Sequence, residues 1–257
     1  MKYSDFERII SPERMRRYLI ACHYDTKKAM TLYRYNLKLS QEMFTVISCF
    51  EVVLRNKIDQ EMKAHFGSDW LRDSILENGI FYSDKNVSKT KDIIAKAYDE
   101  MSENGIYTHS KLITEMGFGV WKFMYNNVQY AKTKKCLLKI FPNKPKSTPE
   151  IHYNNLYVFN ELDRINYIRN RIAHHEPICF EKPLHIDIQY VKNCYHIIIQ
   201  LFDWMDIDYK KLLYGIDHLN TAFGKIIFFK NKYLKKKIVS LQRNSRCVPE
   251  KSNLRVP

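Results

Sequence analysis

The chain has 257 residues, enough for one large domain or two small ones around a substantial core. Its 42 Lys and Arg against 28 Asp and Glu leave a formal net charge of +14, which calls for a polyanionic partner: nucleic acid first, an anionic membrane surface second. A hydrophobic content of 45% excludes a mainly disordered chain, and seven glycines with eight prolines disfavour a turn-rich β-sandwich or a glycine-loop nucleotide fold. The charge is uneven, with +9 on residues 225–257 and +5 on all the rest. The longest apolar run, 194–202, stops at Asp203, so no transmembrane segment is expected. The opening MKYSDFERIISPER lacks the apolar centre of a signal peptide. Six scattered cysteines with no Cys-x-x-Cys pair read as reduced thiols of a cytoplasmic protein, with no metal and no cofactor expected.

The predicted elements are helices almost throughout. Ser11-Pro12-Glu13 sets a capping side chain ahead of a proline at the first helical position, and Met15, Tyr18, Leu19 and Cys22 follow at helical spacing. Asp25 offers a second cap, and Ser40 is expected to open a third helix carrying Phe44, Ile47, Glu51, Leu54, Ile58 and Met62 up to a stop at Gly67. Residues 69–85 read as loop, 88–102 as a helix ended by Asn104-Gly105, and about 110–124 and 128–141 as two more. The lysine- and proline-rich stretch 142–149 is the best internal linker. A helix is expected to start at Thr148-Pro149-Glu150 and run through Leu156, Phe159, Leu162, Ile165, Ile168 and Ile172 until Pro177 forces the chain out. Helices over 186–204 and 206–221 follow, with no convincing strand. The expectation is an all-α bundle over 1–224 with a basic, aromatic-interleaved extension over 225–257.

The densest reactive cluster lies just before Pro177. Asn166, Asn170 and His174 stack on one helical face, whereas Arg169 lies about 140° around the helix from His174. An imidazole can move the proton of an RNA 2′-hydroxyl, a guanidinium can clamp the phosphate, and an amide can orient the ring. The same residues also serve as ordinary caps at a helix C-terminus. Zinc is a poorer reading, because His174-His175-Glu176 is not His-Glu-x-x-His and adjacent histidines point apart.

Arg169 to His174, followed by His175-Glu176-Pro177, resembles the Arg-x4-His motif of HEPN-fold ribonucleases in the form found in Abi-like (abortive infection) proteins. Ser11-Pro12-Glu13-Arg14, Ala29-Met30-Thr31-Leu32-Tyr33-Arg34-Tyr35-Asn36, Phe50-Glu51-Val52-Val53-Leu54-Arg55-Asn56 and Gly117-Phe118-Gly119-Val120-Trp121 are similar to that family's helices in order and spacing. The resemblance runs from about residue 11 to 215 and omits the tail. It implies a helical HEPN-like bundle and a metal-independent endoribonuclease, with Arg169, Asn170 and His174 as catalytic residues. It further implies antiphage growth arrest, as a toxin held in check by an antitoxin RNA or protein. With one motif per chain, a composite site implies a homodimer in which each Arg169 serves the partner's His174.

Glu51 and Arg55 form an i,i+4 pair on an apolar face, where charges need partners; with Asn56, Asn166 and His175 they are expected to brace the helix bearing Arg169. Arg171 and the tail lysines Lys225, Lys230, Lys232, Lys235, Lys236 and Lys237, with aromatics between them, are the candidate RNA contacts. A non-catalytic RNA-binding protein on the same bundle, holding a structured partner RNA, is the competing reading.

Overall fold

Helix-capping chemistry organises the N-terminal part of the computed structural model, which describes residues 1–182 and 185–244, with backbone alone for 181–182 and 234–244. Ser11 accepts the Arg14 backbone N–H at 3.3 Å and starts α2 (Pro12–Ala21) after the short α1 (Tyr3–Ile10). Asp25 accepts the Lys28 N–H at 3.0 Å and starts α3, which runs without a break over Thr26–Phe66. The expected new helix at Ser40 is therefore part of α3. Leu39, Met43, Val46, Ile47, Phe50, Leu54, Ile58 and Met62 are all buried, so the apolar stripe passes straight through Ser40 and keeps the helix in register. Phe44, expected in that stripe, is exposed; Met43 takes its place. Gly67, at φ +94°, ends the helix as expected.

The chain divides into two compact units. The first comprises Met1–Glu42, Pro177–Gln189 and the chain from His218. Its core is aromatic: Tyr18 meets Tyr33 and Phe180 edge-on, each with ring centroids 5.3 Å apart. Buried Asn36 accepts the backbone N–H groups of Ile178 (2.8 Å) and Cys179 (3.1 Å). A small antiparallel hairpin, β1 (Phe180–Lys182) and β2 (His185–Ile186), follows where no strand was expected.

The second unit comprises Met43–Glu176 and Tyr190–Asp217. It contains the rest of α3, then α4 (Trp70–Asp73), α5 (Ser88–Glu103) and α6 (His109–Glu115). The expected helix over 110–124 is two: Met116 is extended, and α7 (Phe118–Phe123) starts afresh after Gly117. The expected helix over 128–141 is likewise split. It gives α8 (Asn127–Lys132) and a 3-10 turn (Cys136–Ile140), separated by Lys134 and Lys135 at positive φ. Thr148 caps only a turn, accepting the Ile151 N–H, while Asn154 caps α9 (Asn155–Ala173). Residues 142–149 are tied down at Asn143, which donates to the Asp203 carbonyl and the Asp206 carboxylate. The unit closes with α10 (Gln189–Trp204) and α11 (Tyr209–Leu212), the latter much shorter than the expected 206–221. The fold is all-α, as the helical periodicity along the chain indicated. No helix among the described residues is long and apolar enough to cross a membrane.

Candidate functional site

Helix α9 buries Val158, Leu162, Ile165 and Ile168 and carries the candidate residues around the remaining surface. Its end is fixed by backbone geometry. His174 is the C-cap, His175 adopts φ +55°, and the N–H groups of His175 and Glu176 bond to the carbonyls of Ile172 (3.0 Å) and Arg171 (2.8 Å). These two reversed bonds define a Schellman motif with histidine in the left-handed position that glycine usually takes. Pro177 then follows and cannot continue the helix. His174 is left exposed at that end.

Arg169 points elsewhere. Half-buried, it approaches Glu51 of α3, whose carboxyl is raised above the ordinary carboxylate value by burial against the opposing pull of the Arg169 and Arg55 guanidiniums and the Phe118 backbone N–H. Three elements thus converge on one carboxylate: α3 supplies it, α9 the guanidinium, and the first residue of α7 an N–H donor. The Nε atoms of Arg55 and Arg169 are buried without a hydrogen-bond partner, so the cluster is bonded incompletely. Arg169 Nη1 makes a long 3.5 Å bond to Asn170 Oδ1, which sets the amide beside the arginine. No hydrogen bond joins Arg169 to His174 among the described residues. Asn166 is half-buried and Asn56 exposed, neither with a hydrogen bond to the cluster. Arg171 is engaged locally, with Nε 3.3 Å from Glu176 Oε2 and its guanidinium 5.7 Å from the Tyr167 ring.

Two features were missed in the sequence. Lys122 of α7 is buried against the rings of Phe123 and Phe159, and its ammonium reaches Asp163 of α9 at 2.7 Å, pinning the two helices together. A cleft of about 430 Å³ opens beside Phe118, lined by Gly117, Gly119, Val120, Phe123, Ile93 and Gln129. A Cβ added to Gly117 or Gly119 would meet no atom within 4 Å, so intrachain packing does not require glycine at either position. The glycines in the Gly117–Trp121 segment were the available signal for the cleft; nothing in the sequence marks Lys122.

Of the proposed RNA contacts, Lys225, Lys230 and Lys232 are exposed on α12 (Leu219–Asn244), with Lys232 Nζ 5.4 Å from the exposed Phe228 ring. The side chains of Lys235, Lys236 and Lys237, and all of 245–257, lie outside the described residues. Among the described residues, the side chains close enough together to be able to hold a metal ion are Glu61, His65 and Cys136, and not His174, His175 and Glu176.

A helical protein with an exposed imidazole at one helix end and, on the same helix, an arginine in the field of a half-buried carboxyl is the class that fold and site define. The family model described as Abi-like protein matches residues 3–179, more than half of the chain. The chain belongs to the Abi-like family. No curated protein and no solved structure was found to match it.

Proposed function

We propose that the protein is a metal-independent endoribonuclease of an antiphage abortive-infection system, with the HEPN-type Arg-x4-His motif at Arg169 and His174. The observation that carries this reading is the division of labour on α9: half-buried Arg169 lies in the field of the Glu51 carboxyl while His174 stands exposed. In the reaction, the RNA 2′-oxygen attacks phosphorus and loses its proton to a base, and the 5′-oxygen leaves with a proton. The products are a cyclic phosphate and a free 5′-hydroxyl. His174 serves as acid or base, and Arg169 stabilises the phosphorane charge. Asn170, bonded to Arg169, keeps the guanidinium oriented. Five residues of helix put Arg169 about 140° around from His174, and no hydrogen bond joins them among the described residues, which supports a complete site formed across a homodimer.

His174→Ala should abolish cleavage of RNA, and growth arrest where it occurs, while leaving the helical circular dichroism and melting temperature unchanged. Cleavage that survives this change, or that depends on a divalent metal, would sink the assignment. A second reading, RNA binding without cleavage, is favoured by one observation, the exposed Lys225, Phe228 and Lys232 on α12. Its mark is salt-sensitive binding with no product at any protein concentration.

A further inference from the structure

We propose that Glu61, His65 and Cys136 form a mononuclear zinc site, completed by water, which ties the end of α3 to the 3-10 turn Cys136–Ile140. One ligand atom from each residue lies within 4.8 Å of the other two. Tetrahedral zinc bonds of roughly 2.0–2.3 Å place ligand atoms about 3.5 Å apart, so a side-chain adjustment of about an ångström closes the site. The donor set of one thiolate, one imidazole and one carboxylate suits zinc and excludes the hard cations calcium and magnesium, which take oxygen.

One ring nitrogen of His65 already has a backbone partner. His65 Nδ1 lies 2.9 Å from the Glu61 backbone carbonyl, an acceptor only, so Nδ1 carries the hydrogen and Nε2 keeps its lone pair. A metal-bound histidine gains the same support, its other ring N–H given to a backbone carbonyl. Lys139 Nζ stands 3.3 Å from Nε2, occupying the lone pair; two-thirds exposed, it can swing into solvent when a cation arrives. Glu61 Oε1 is buried and makes no hydrogen bond, with the Lys139 ammonium 3.8 Å away and His65 Nδ1 3.4 Å away, so a positive charge already stands where the ion would sit. Zinc binding expels the Cys136 thiol proton and neutralises both anions, leaving Zn²⁺ with two negative ligands and no net charge.

The test uses the full chain after chelator treatment, titrated with Co²⁺ and then Zn²⁺. One equivalent of Co²⁺ should give the visible bands of four-coordinate cobalt and a near-ultraviolet thiolate-to-cobalt band, both bleached by one equivalent of Zn²⁺. Cys136→Ser should remove the thiolate band, and Glu61→Gln or His65→Gln should weaken zinc binding about 100-fold or more. Cys49→Ser, in the same unit, should change nothing. Should Cys136→Ser fail to fold, zinc-edge absorption of the unaltered protein decides: one sulfur with nitrogen and oxygen neighbours supports the site. Absence of stoichiometric binding, or a thiolate band that persists in Cys136→Ser, overturns it. The proposed cleavage uses no metal, so RNA cutting by zinc-free protein is read independently of this outcome.

Discussion

Glu51 and Asp59 are two carboxylates on one helix with opposite electrostatic fates. At Glu51, burial outweighs the two arginines and the Phe118 N–H, so the folded chain holds the carboxyl proton more tightly than the unfolded chain. The ionised form therefore costs stability, and that cost grows as pH rises above the unfolded value of about 4.3. Glu51→Gln should leave the melting temperature at neutral pH unchanged or higher, while slowing RNA cleavage because Arg169 loses its counter-charge. At Asp59, burial also raises the carboxyl, but bonds from Lys63, His109 and Trp70 outweigh it and hold it below its ordinary value. Its contribution is present above the unfolded value of about 3.9 and is lost as pH falls through the folded value. Asp59→Asn should accordingly lower the melting temperature at pH 7 and flatten its acid dependence. The Glu51–Arg55 spacing marked a charge pair on an apolar face in the sequence. That Phe118 joins it was not legible there, because nothing local brings residues 51, 118 and 169 together.

At the scale of elements, Asn36 shows how much one side chain on α3 carries. It accepts two buried backbone N–H groups, from Ile178 and Cys179, so Asn36→Ala leaves both unpaired and should cost about 2–4 kcal/mol in denaturant unfolding. Helix α7 makes the contrary case. Gly119 lies inside it with open space at its Cβ position, so Gly119→Ala should gain up to about 1 kcal/mol in stability. If the cleft receives an RNA base, the same change should weaken RNA binding, a divergence that titration with RNA and thermal melting would expose. Caps at Ser11, Asp25 and Gly67 were readable because they act on the nearest N–H or carbonyl. The breaks at Met116 and at Lys134-Lys135 were not, since apolar periodicity continues across both and only packing settles where the helix ends.

For the whole molecule, a composite site makes a specific demand on mixed assemblies. Arg169→Ala and His174→Ala, each inactive alone, should recover about a quarter of the activity when co-folded, because half of the dimers are mixed and each of these has one intact site. Full inactivity of the mixture would place both residues' work within one chain. The basic excess is likewise more constrained than a mobile tail would be. Ile226 and Phe229 are buried in the first unit, and Tyr35 meets Phe229 edge-on at 6.0 Å, so the basic region begins within a packed helix. Removal of the tail from Lys225 would expose that core. Lys225→Gln, Lys230→Gln and Lys232→Gln together keep it, and should lower the salt slope of RNA binding by about 2.

Sequence alone determined that this chain is helical, basic and without a membrane-crossing helix among its described residues, and its motifs already resembled the family to which it belongs. These properties follow from composition, periodicity and local caps, which act over a few residues. Only the tertiary structure decided that the Glu51 carboxyl meets the Phe118 N–H in the field of two guanidiniums, and that Glu61, His65 and Cys136 lie within reach of one ion. It also decided that part of the basic extension is core. Each of these depends on residues tens of positions apart meeting in a shared low-dielectric setting, where the cost of an unpaired charge is set by neighbours that spacing does not reveal.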